Sequence, residues 1–272
     1  MVQDVKQMSE KTETSPLKHQ LLYEAAMLAG EITLESGAEI FRVEDTMHRI
    51  MNLSHLESVE IFATTTGIFA TLADPSIQPI TQVRRITSRA NNLNRICQVN
   101  EVSRELCSGV ITPEEAIQRL KEIQNLPPYP KSWVMAAFLI STMGFAALFG
   151  GGIREVLGSG AACIAMQTVG VLILDRVSND FMESLLKTIV IALVTEVCCV
   201  LFPLMDGQIV IISSIMPLVP GVPITNAIRD TLQGDYTAGL SRAAEAFVIA
   251  LAIAAGSVAG MGLFQLLAGL FS

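Results

Sequence analysis

The feature that most constrains this chain is a series of apolar segments that fills its second half. Residues 132–272 contain only 5 Lys or Arg and 9 Asp or Glu, whereas residues 1–131 contain 13 and 17. A soluble domain needs a charged surface on all sides, because these four residue types are rarely buried. The second half is too poor in charge to provide such a surface, so we predict that residues 132–272 form a transmembrane domain.

Five apolar segments follow a proline-rich linker at residues 127–131, and they cover approximately 132–150, 157–174, 185–205, 208–220 and 243–270. A helix needs about 20 apolar residues to cross the hydrocarbon core, a length that all but the fourth segment approach. Pro217, Pro220 and Pro223 interrupt the chain at the end of that fourth segment. We therefore predict an α-helical bundle of about five transmembrane helices, one of which is broken.

The positive charges predict how this bundle is oriented. With Lys131 on the cytoplasmic side, the loops that carry Arg176, Arg229 and Arg242 also face the cytoplasm, and Arg154 alone falls outside. Positive residues favour the cytoplasmic side of a membrane. We therefore expect a multi-pass protein of the inner membrane with a cytoplasmic N-terminus and an external C-terminus. Its start is polar, without the apolar core of a signal peptide.

Residues 17–126 predict a cytoplasmic α+β domain, preceded by a disordered tail at residues 1–16. Apolar residues recur at helical spacing in two segments before residue 54 and in two after residue 91, and they alternate as in β-strands between residues 59 and 86. The last helix is predicted to begin with a capping box, Thr112-Pro-Glu-Glu115, in which the side chains at both ends bind backbone N–H groups.

Composition excludes several classes of function. The net charge of −8 argues against nucleic acid, which rewards clustered Lys and Arg. The five cysteines and three histidines show no metal-ligand spacing, and neither a nucleophile elbow nor a phosphate-binding loop is present. We therefore expect no metal, no cofactor and no enzymatic activity.

The proline-interrupted segment is the strongest candidate for a binding site. Backbone groups freed by proline are tolerated at membrane depth only where protein or a water-lined cavity satisfies them. The helix that restarts near Pro223 carries Asn226 and Asp230 on one face, and its N-terminus would suit a substrate carboxylate. The candidate substrate-binding residues are therefore Pro220, Gly221, Pro223, Thr225, Asn226 and Asp230. A cytoplasmic loop whose prolines merely end a short helix explains the same pattern.

Two acidic residues are candidates for proton coupling. Glu196 lies near the middle of the third apolar segment and Glu245 near the start of the fifth. A carboxylate inside a membrane helix usually faces the bundle interior and often marks a proton or ion path. A protonated Glu196 bound to a neighbouring helix, and an interfacial salt bridge from Glu245 to Arg242, are the alternatives.

The soluble domain contains a charged motif between its first two helices. Gly37 marks a helix break, and Arg42, Glu44 and Asp45 follow on the next helix. These side chains could bind a cation or a substrate. A solvated helix face with ion pairs three or four residues apart explains them nearly as well.

Two stretches resemble the bacterial threonine/serine exporter family. They are Glu35-Ser-Gly-Ala-Glu-Ile-Phe-Arg-Val-Glu-Asp-Thr-Met47 and Pro217-Leu-Val-Pro-Gly-Val-Pro-Ile-Thr-Asn-Ala-Ile-Arg-Asp230, the latter followed by Gly234-Asp-Tyr-Thr-Ala-Gly-Leu240. The resemblance extends from about Leu17 to the C-terminus and is to the larger subunit of the split, two-protein form.

The resemblance implies a subunit of an exporter of small carboxylate metabolites, either threonine and serine or succinate-like dicarboxylates, driven by the proton motive force. It also implies a small, all-membrane partner subunit, which an odd number of spans would require in a transporter built from two related halves. A regulatory or assembly subunit of such a transporter remains an alternative. A membrane-anchored enzyme that uses the N-terminal domain is another.

Overall fold

A computed structural model describes the backbone of residues 2–173 and 179–271, and the side chains of residues 17–171 and 179–270. The chain forms two compact units, Met1–Pro127 with Ile224–Ala243, and Pro128–Pro223 with Ala244–Ser272. The first unit thus contains 20 residues from the half of the chain that we expected to be wholly transmembrane. The tail predicted at residues 1–16 lies outside the residues with described side chains.

The first unit is an α+β domain around a three-stranded antiparallel sheet. Its elements are α1 Val2–Glu35, α2 Ile40–Met51, β1 Ser58–Thr64, β2 Gly67–Asp74, β3 Ile77–Arg85, α3 Leu93–Cys107 and α4 Pro113–Gln124, with a 3₁₀ turn at Asn52–Ser54. The strands are in the order β1-β2-β3, and both pairs are antiparallel. The predicted hairpin, third strand and flanking helices are confirmed.

The core of this unit lies where α1 crosses the sheet and α2. Leu22, Met27 and Ile32 on α1 are buried against Ile68 of β2 and its neighbours, because the apolar stripe of a helix and one face of a sheet can bury each other. Tyr23 is also buried, and its hydroxyl donates to the Ala70 carbonyl oxygen at 2.6 Å. That hydrogen bond satisfies the phenol and holds α1 to the central strand.

The predicted capping box of α4 is present. Thr112 Oγ1 accepts from the Glu115 N–H, and Glu115 Oε2 accepts from the Thr112 N–H, with Pro113 at the first helical position. Two backbone donors that the helix cannot satisfy by itself thereby find partners.

The second unit consists of helices. They are α5 Lys131–Leu148, α6 Ile153–Ile173, α7 Asp180–Leu201 and α8 Gly207–Ile215, together with the first residues of α9 Gly221–Leu232 and most of α10 Tyr236–Phe271. A 3₁₀ turn at Met216–Leu218 follows α8. Both α9 and α10 therefore have residues in each unit.

Three of these helices, α5, α7 and α10, are long and apolar enough to cross a membrane. The pair α8–α9 is bent by 56° at the prolines and makes a fourth span if the pair is counted as one. The second predicted span corresponds to α6, whose last turn adjoins residues outside the described part of the chain. The membrane-type helical architecture is thus confirmed, while the number five remains a prediction.

Candidate functional site

The first of the two stretches that resemble the exporter family lies, within the first unit, against the part of the second stretch that begins at Ile224. The turn between α1 and α2 contacts the part of α9 that begins at Ile224 and the first turns of α10. We call this contact the motif junction; it consists of Gly37–Ile40 from the turn and of Asn226, Asp230 and Arg242. More than 180 residues of chain separate its two sides.

Asp230 caps helix α2. Its Oδ1 accepts a hydrogen bond from the Ile40 N–H at 3.1 Å, and Ile40 is the first residue of α2. Glu39, the residue before the helix, makes no side-chain capping bond of its own. The first N–H groups of a helix have no partner within it and carry partial positive charge. A buried carboxylate from a distant segment therefore satisfies the start of α2.

Arg242 completes the buried charge pair. Its Nε lies 3.0 Å from Asp230 Oδ2, with relative side-chain exposures of 4% and 0%. The two atoms are close enough for an ion pair but are not aligned as a hydrogen bond. Arg242 Nη2 also donates to the Ala38 carbonyl oxygen at 2.6 Å. A buried ion pair is tolerated only when such additional contacts compensate for the lost water.

Asn226 and Gly37 form the third contact of the motif junction. Asn226 Nδ2 donates to the Gly37 carbonyl oxygen at 2.8 Å. Gly37 adopts φ +84°, and a Cβ at this position would lie 2.6 Å from Asn91 Oδ1. Only glycine adopts this left-handed conformation without strain. The turn at Gly37, where the sequence predicted a helix break, is therefore also the place where α9 binds.

A polar rim surrounds these buried contacts. Arg229 forms an ion pair with Glu39, and Arg42 Nε lies 3.7 Å from a Glu39 oxygen. The Thr65 and Ser241 hydroxyls are 3.3 Å apart. Exposed ion pairs contribute little to stability, so the buried groups hold the junction and the rim sets its register.

The charged side chains predicted on α2 have separate roles. Glu44 Oε1 accepts from the Ala63 N–H at 2.8 Å, which ties α2 to β1, and burial raises the pKa of Glu44. Asp45 pairs with Arg49 at 2.9 Å, one turn along the helix. Glu44 is thus held by the fold, whereas Arg42 and Asp45 line an open cavity between α2 and α3.

The candidate substrate-binding residues divide into two groups. Asn226 and Asp230 are buried in the motif junction. Pro220 is buried just before α9, while Gly221, Pro223 and Thr225 lie on its first turns, with Gly221 and Thr225 exposed. Thr225 is exposed whereas Asn226 and Asp230 are buried, so Thr225 does not share their face of α9.

The proposed proton-coupling residues lie elsewhere. Glu196 is half-buried on α7, next to the buried Thr195, whose hydroxyl donates to the Ile191 carbonyl oxygen at 2.8 Å. Glu245 is half-buried near the start of α10. Arg242 pairs with Asp230, and its salt bridge with Glu245 stays a prediction of the sequence.

Two features of the second unit were not anticipated from the sequence. Glu155 is buried and its carboxylate accepts from the Gly152 and Asp206 N–H groups at 2.7 and 2.9 Å, so it ties together the turns before α6 and α8. Buried hydroxyls line the helices, and that of Ser214 has no hydrogen-bond partner among the described residues. Ser and Thr are common where membrane helices pack together, so their positions in the sequence did not predict that these hydroxyls are buried.

No group of three or more His, Cys, Asp or Glu side chains within the described ranges could hold a metal ion. The chain instead consists of membrane-type helices, a bent helix pair and an α+β unit that binds the segment after the bend, residues 224–243. These features define the class of the protein as a multi-pass membrane protein with an attached soluble domain.

Comparison with known proteins narrows this class. The family model described as "Putative threonine/serine exporter" matches residues 24–264. The "Probable threonine/serine exporter" of Mycobacterium tuberculosis H37Rv is 23% identical over 83% of this chain, which spans only 43% of that protein. The proteins called "Probable succinate transporter subunit YjjP" in Klebsiella aerogenes and Escherichia coli K12 are 24% and 25% identical to this chain. These matches cover 86% and 87% of this chain, and 90% and 92% of those two proteins.

The chain belongs to the threonine/serine exporter family, because the family model covers both of its units. No solved structure matches it. The family is one of transporters, which agrees with the absence of an enzyme signature in the sequence.

Proposed function

We propose that this chain is a subunit of an inner-membrane exporter of small carboxylate metabolites, driven by the proton motive force. The observation that carries the proposal is the family match, which extends without interruption from the soluble domain through the bent helix pair into α10. Threonine and serine, or a succinate-like dicarboxylate, are the substrates that the names of the relatives suggest.

The lengths of the relatives support a two-protein transporter. This chain accounts for nearly all of each relative called a subunit but for less than half of the mycobacterial relative. We infer that the missing portion corresponds to a small, all-membrane partner. Large exposed apolar side chains on α5, α7 and α10 are consistent with helices that face lipid or such a partner.

The start of α9 is the proposed carboxylate site. Pro220 and Pro223 set the bend, and the Val222 and Ile224 N–H groups, beside Gly221 and Thr225 in the first turn of α9, lie at the positive end of the helix dipole. Broken helices of this kind carry the binding sites of many transporters. Asn226 and Asp230 would reach a substrate only if the motif junction opened, so their first role is to position α9.

Glu196 is the proposed proton carrier, with Glu245 as the second candidate. A carboxylate on a membrane helix can lose and regain a proton as the surrounding water changes. Its position beside buried Thr195, rather than on a surface of the soluble domain, supports this role.

The test is efflux of labelled threonine and of labelled succinate from cells or proteoliposomes that contain both subunits. We expect Glu196→Gln to abolish the response of efflux to a proton gradient. Thr225→Ala should reduce efflux at least about tenfold, the effect of one lost charged hydrogen bond, and Asn226→Ala should reduce it because α9 loses its bond to the Gly37 carbonyl oxygen. Glu60→Gln, at an exposed position on β1, is the matched control. Wild-type rates in Glu196→Gln and Asn226→Ala at equal expression would remove these assignments.

A regulatory subunit is the second candidate, favoured by the way the soluble domain holds residues 224–243. Proteoliposomes containing the small partner alone decide between the two. Transport by the partner alone, changed only in rate by this chain, would indicate regulation. Transport that requires both proteins would support a shared path.

A further inference from the structure

A cavity of about 230 Å³ lies between α2 and α3 of the soluble domain. Its lining includes three arginines, one aspartate and two neutral polar residues: Arg42, Arg49, Arg104, Asp45, Asn100 and Ser103. Half of these, Arg42, Asp45 and Arg49, come from α2, and none of the six belongs to the motif junction or to the proposed transport site. The cavity is smaller than the pockets of drug-sized ligands, roughly 300–1,000 Å³, and suits a small metabolite.

The charges around the cavity do not balance. Asp45 pairs with Arg49, and the nearest carboxylate to Arg42, that of Glu39, also binds Arg229. Arg104 has no ion-pair partner among the residues with described side chains. Cys107 at the cavity edge adds no negative charge, since burial raises its pKa and keeps the thiol neutral. A local excess of positive charge in a chain of net charge −8 calls for an anion.

The placement of the arginines indicates what kind of anion. Arg42 on α2 and Arg104 on α3 line the cavity from facing helices. Each guanidinium presents two parallel N–H groups that match a carboxylate. A ligand with a carboxylate at each end can therefore pair with an arginine on each helix.

We propose that this cavity is a binding site for a small dicarboxylate, with Arg42 and Arg104 as its principal cationic contacts and Asn100 and Ser103 as neutral hydrogen-bond donors. The site is in the soluble domain and is distinct from the transport path, so it goes beyond the proposed function. Arg42 is two residues after Ile40, the residue that Asp230 caps. A ligand bound here acts on the same helix that holds α9, which makes the site regulatory.

Asp45 distinguishes a dicarboxylate from an amino acid. A dianion is repelled by the Asp45 carboxylate, so Asp45→Asn strengthens its binding. A zwitterionic amino acid would place its ammonium group at Asp45, and the same substitution would weaken it. The direction in which Asp45→Asn changes the affinity therefore distinguishes a dicarboxylate from a zwitterionic amino acid.

The experiment is calorimetric titration of the full-length protein in detergent with succinate, threonine and inorganic phosphate. We expect succinate to bind, Arg104→Gln to weaken it by about tenfold or more, and Asp45→Asn to tighten it. Arg85→Gln, which removes the same charge from β3 outside the cavity, should bind as wild type. Binding should also weaken with added salt, because exposed charges are screened.

Three results would overturn the proposal: no succinate binding, equal succinate binding by Arg104→Gln and wild type, or a larger loss of threonine or phosphate binding than of succinate binding in Arg104→Gln. Thermal unfolding of each variant confirms that it is folded, which is expected because Arg104 is exposed. The titration requires neither the partner nor a proton gradient. Succinate bound at the start of α9 would not respond to Arg104→Gln, so the part of the binding that this substitution removes is independent of whether the chain exports succinate.

Discussion

At the scale of residues, the motif junction is held together by a few buried polar groups that bind one another. The Asp230 carboxylate contacts two partners at once, because one oxygen accepts a hydrogen bond from the Ile40 N–H and the other forms an ion pair with Arg242. Arg242 in turn reaches the Ala38 carbonyl oxygen. Removal of one member leaves the others buried without a partner, which costs more than the contact itself contributes.

We predict that Asp230→Ala destabilises the soluble domain by about 3–5 kcal/mol, the usual cost of breaking a buried ion pair. Thermal unfolding in detergent, followed by circular dichroism, measures the loss. Arg229→Gln is the control, since it removes the neighbouring exposed pair with Glu39, and pairs of that kind contribute about 0–1 kcal/mol. Equal destabilisation by the two substitutions would contradict a buried, structural role for Asp230.

At the scale of elements, small residues decide how closely the helices of the second unit pack. Gly256 and Gly260 are one turn apart on α10, and both lie against α7. A Cβ at Gly256 would be 2.6 Å from the Leu185 carbonyl oxygen, and one at Gly260 would be 2.7 Å from that of Ile189. These neighbours are backbone atoms, which cannot move aside as a flexible side chain could.

Gly256→Val should therefore separate α10 from α7 and destabilise the helical unit by about 1–3 kcal/mol, the range found for overpacked sites. The control is Gly262→Val, because a Cβ at Gly262 meets nothing within 4 Å. The melting temperature of the detergent-solubilised protein reports the difference. Equal melting temperatures for the two valine variants would contradict the close approach of α10 to α7.

At the scale of the whole molecule, the first unit constrains the topology of the chain in the membrane. Residues 224–243 and residues 1–127 form one compact unit, so they must lie on the same side of the bilayer. The positive-inside rule independently assigned Arg229 and Arg242 to the side of Lys131. The two arguments agree in placing residues 224–243 on the same side of the membrane as the N-terminal domain.

Reporter fusions test this topology. We predict that alkaline phosphatase, which is active only outside the cytoplasm, is active when fused after residue 152 or residue 272 and inactive after residue 131 or residue 234. A fluorescent protein that folds only in the cytoplasm should show the opposite pattern and serves as the control. Phosphatase activity after residue 234 would contradict both the predicted orientation and the shared side.

The sequence alone determined the features that depend on neighbouring residues. Charge density separated the two halves of the chain, alternation predicted the sheet, and Thr112 with Glu115 predicted a capping box that the structure contains. Apolar length predicted α5, α7 and α10 as membrane-type helices. Each of these depends on residues within one or two turns or strands, where periodicity is informative.

Only the tertiary structure decided which distant groups meet. The sequence placed Asn226 and Asp230 on one face of a helix and proposed that face for a substrate, but it gave no sign that this face meets Gly37 or that Asp230 meets Arg242. In the fold, the same face binds the turn at Gly37, and Arg242 binds Asp230. The physical reason is that a buried polar group must find a partner, whereas nothing in its local sequence specifies a partner some 190 residues away.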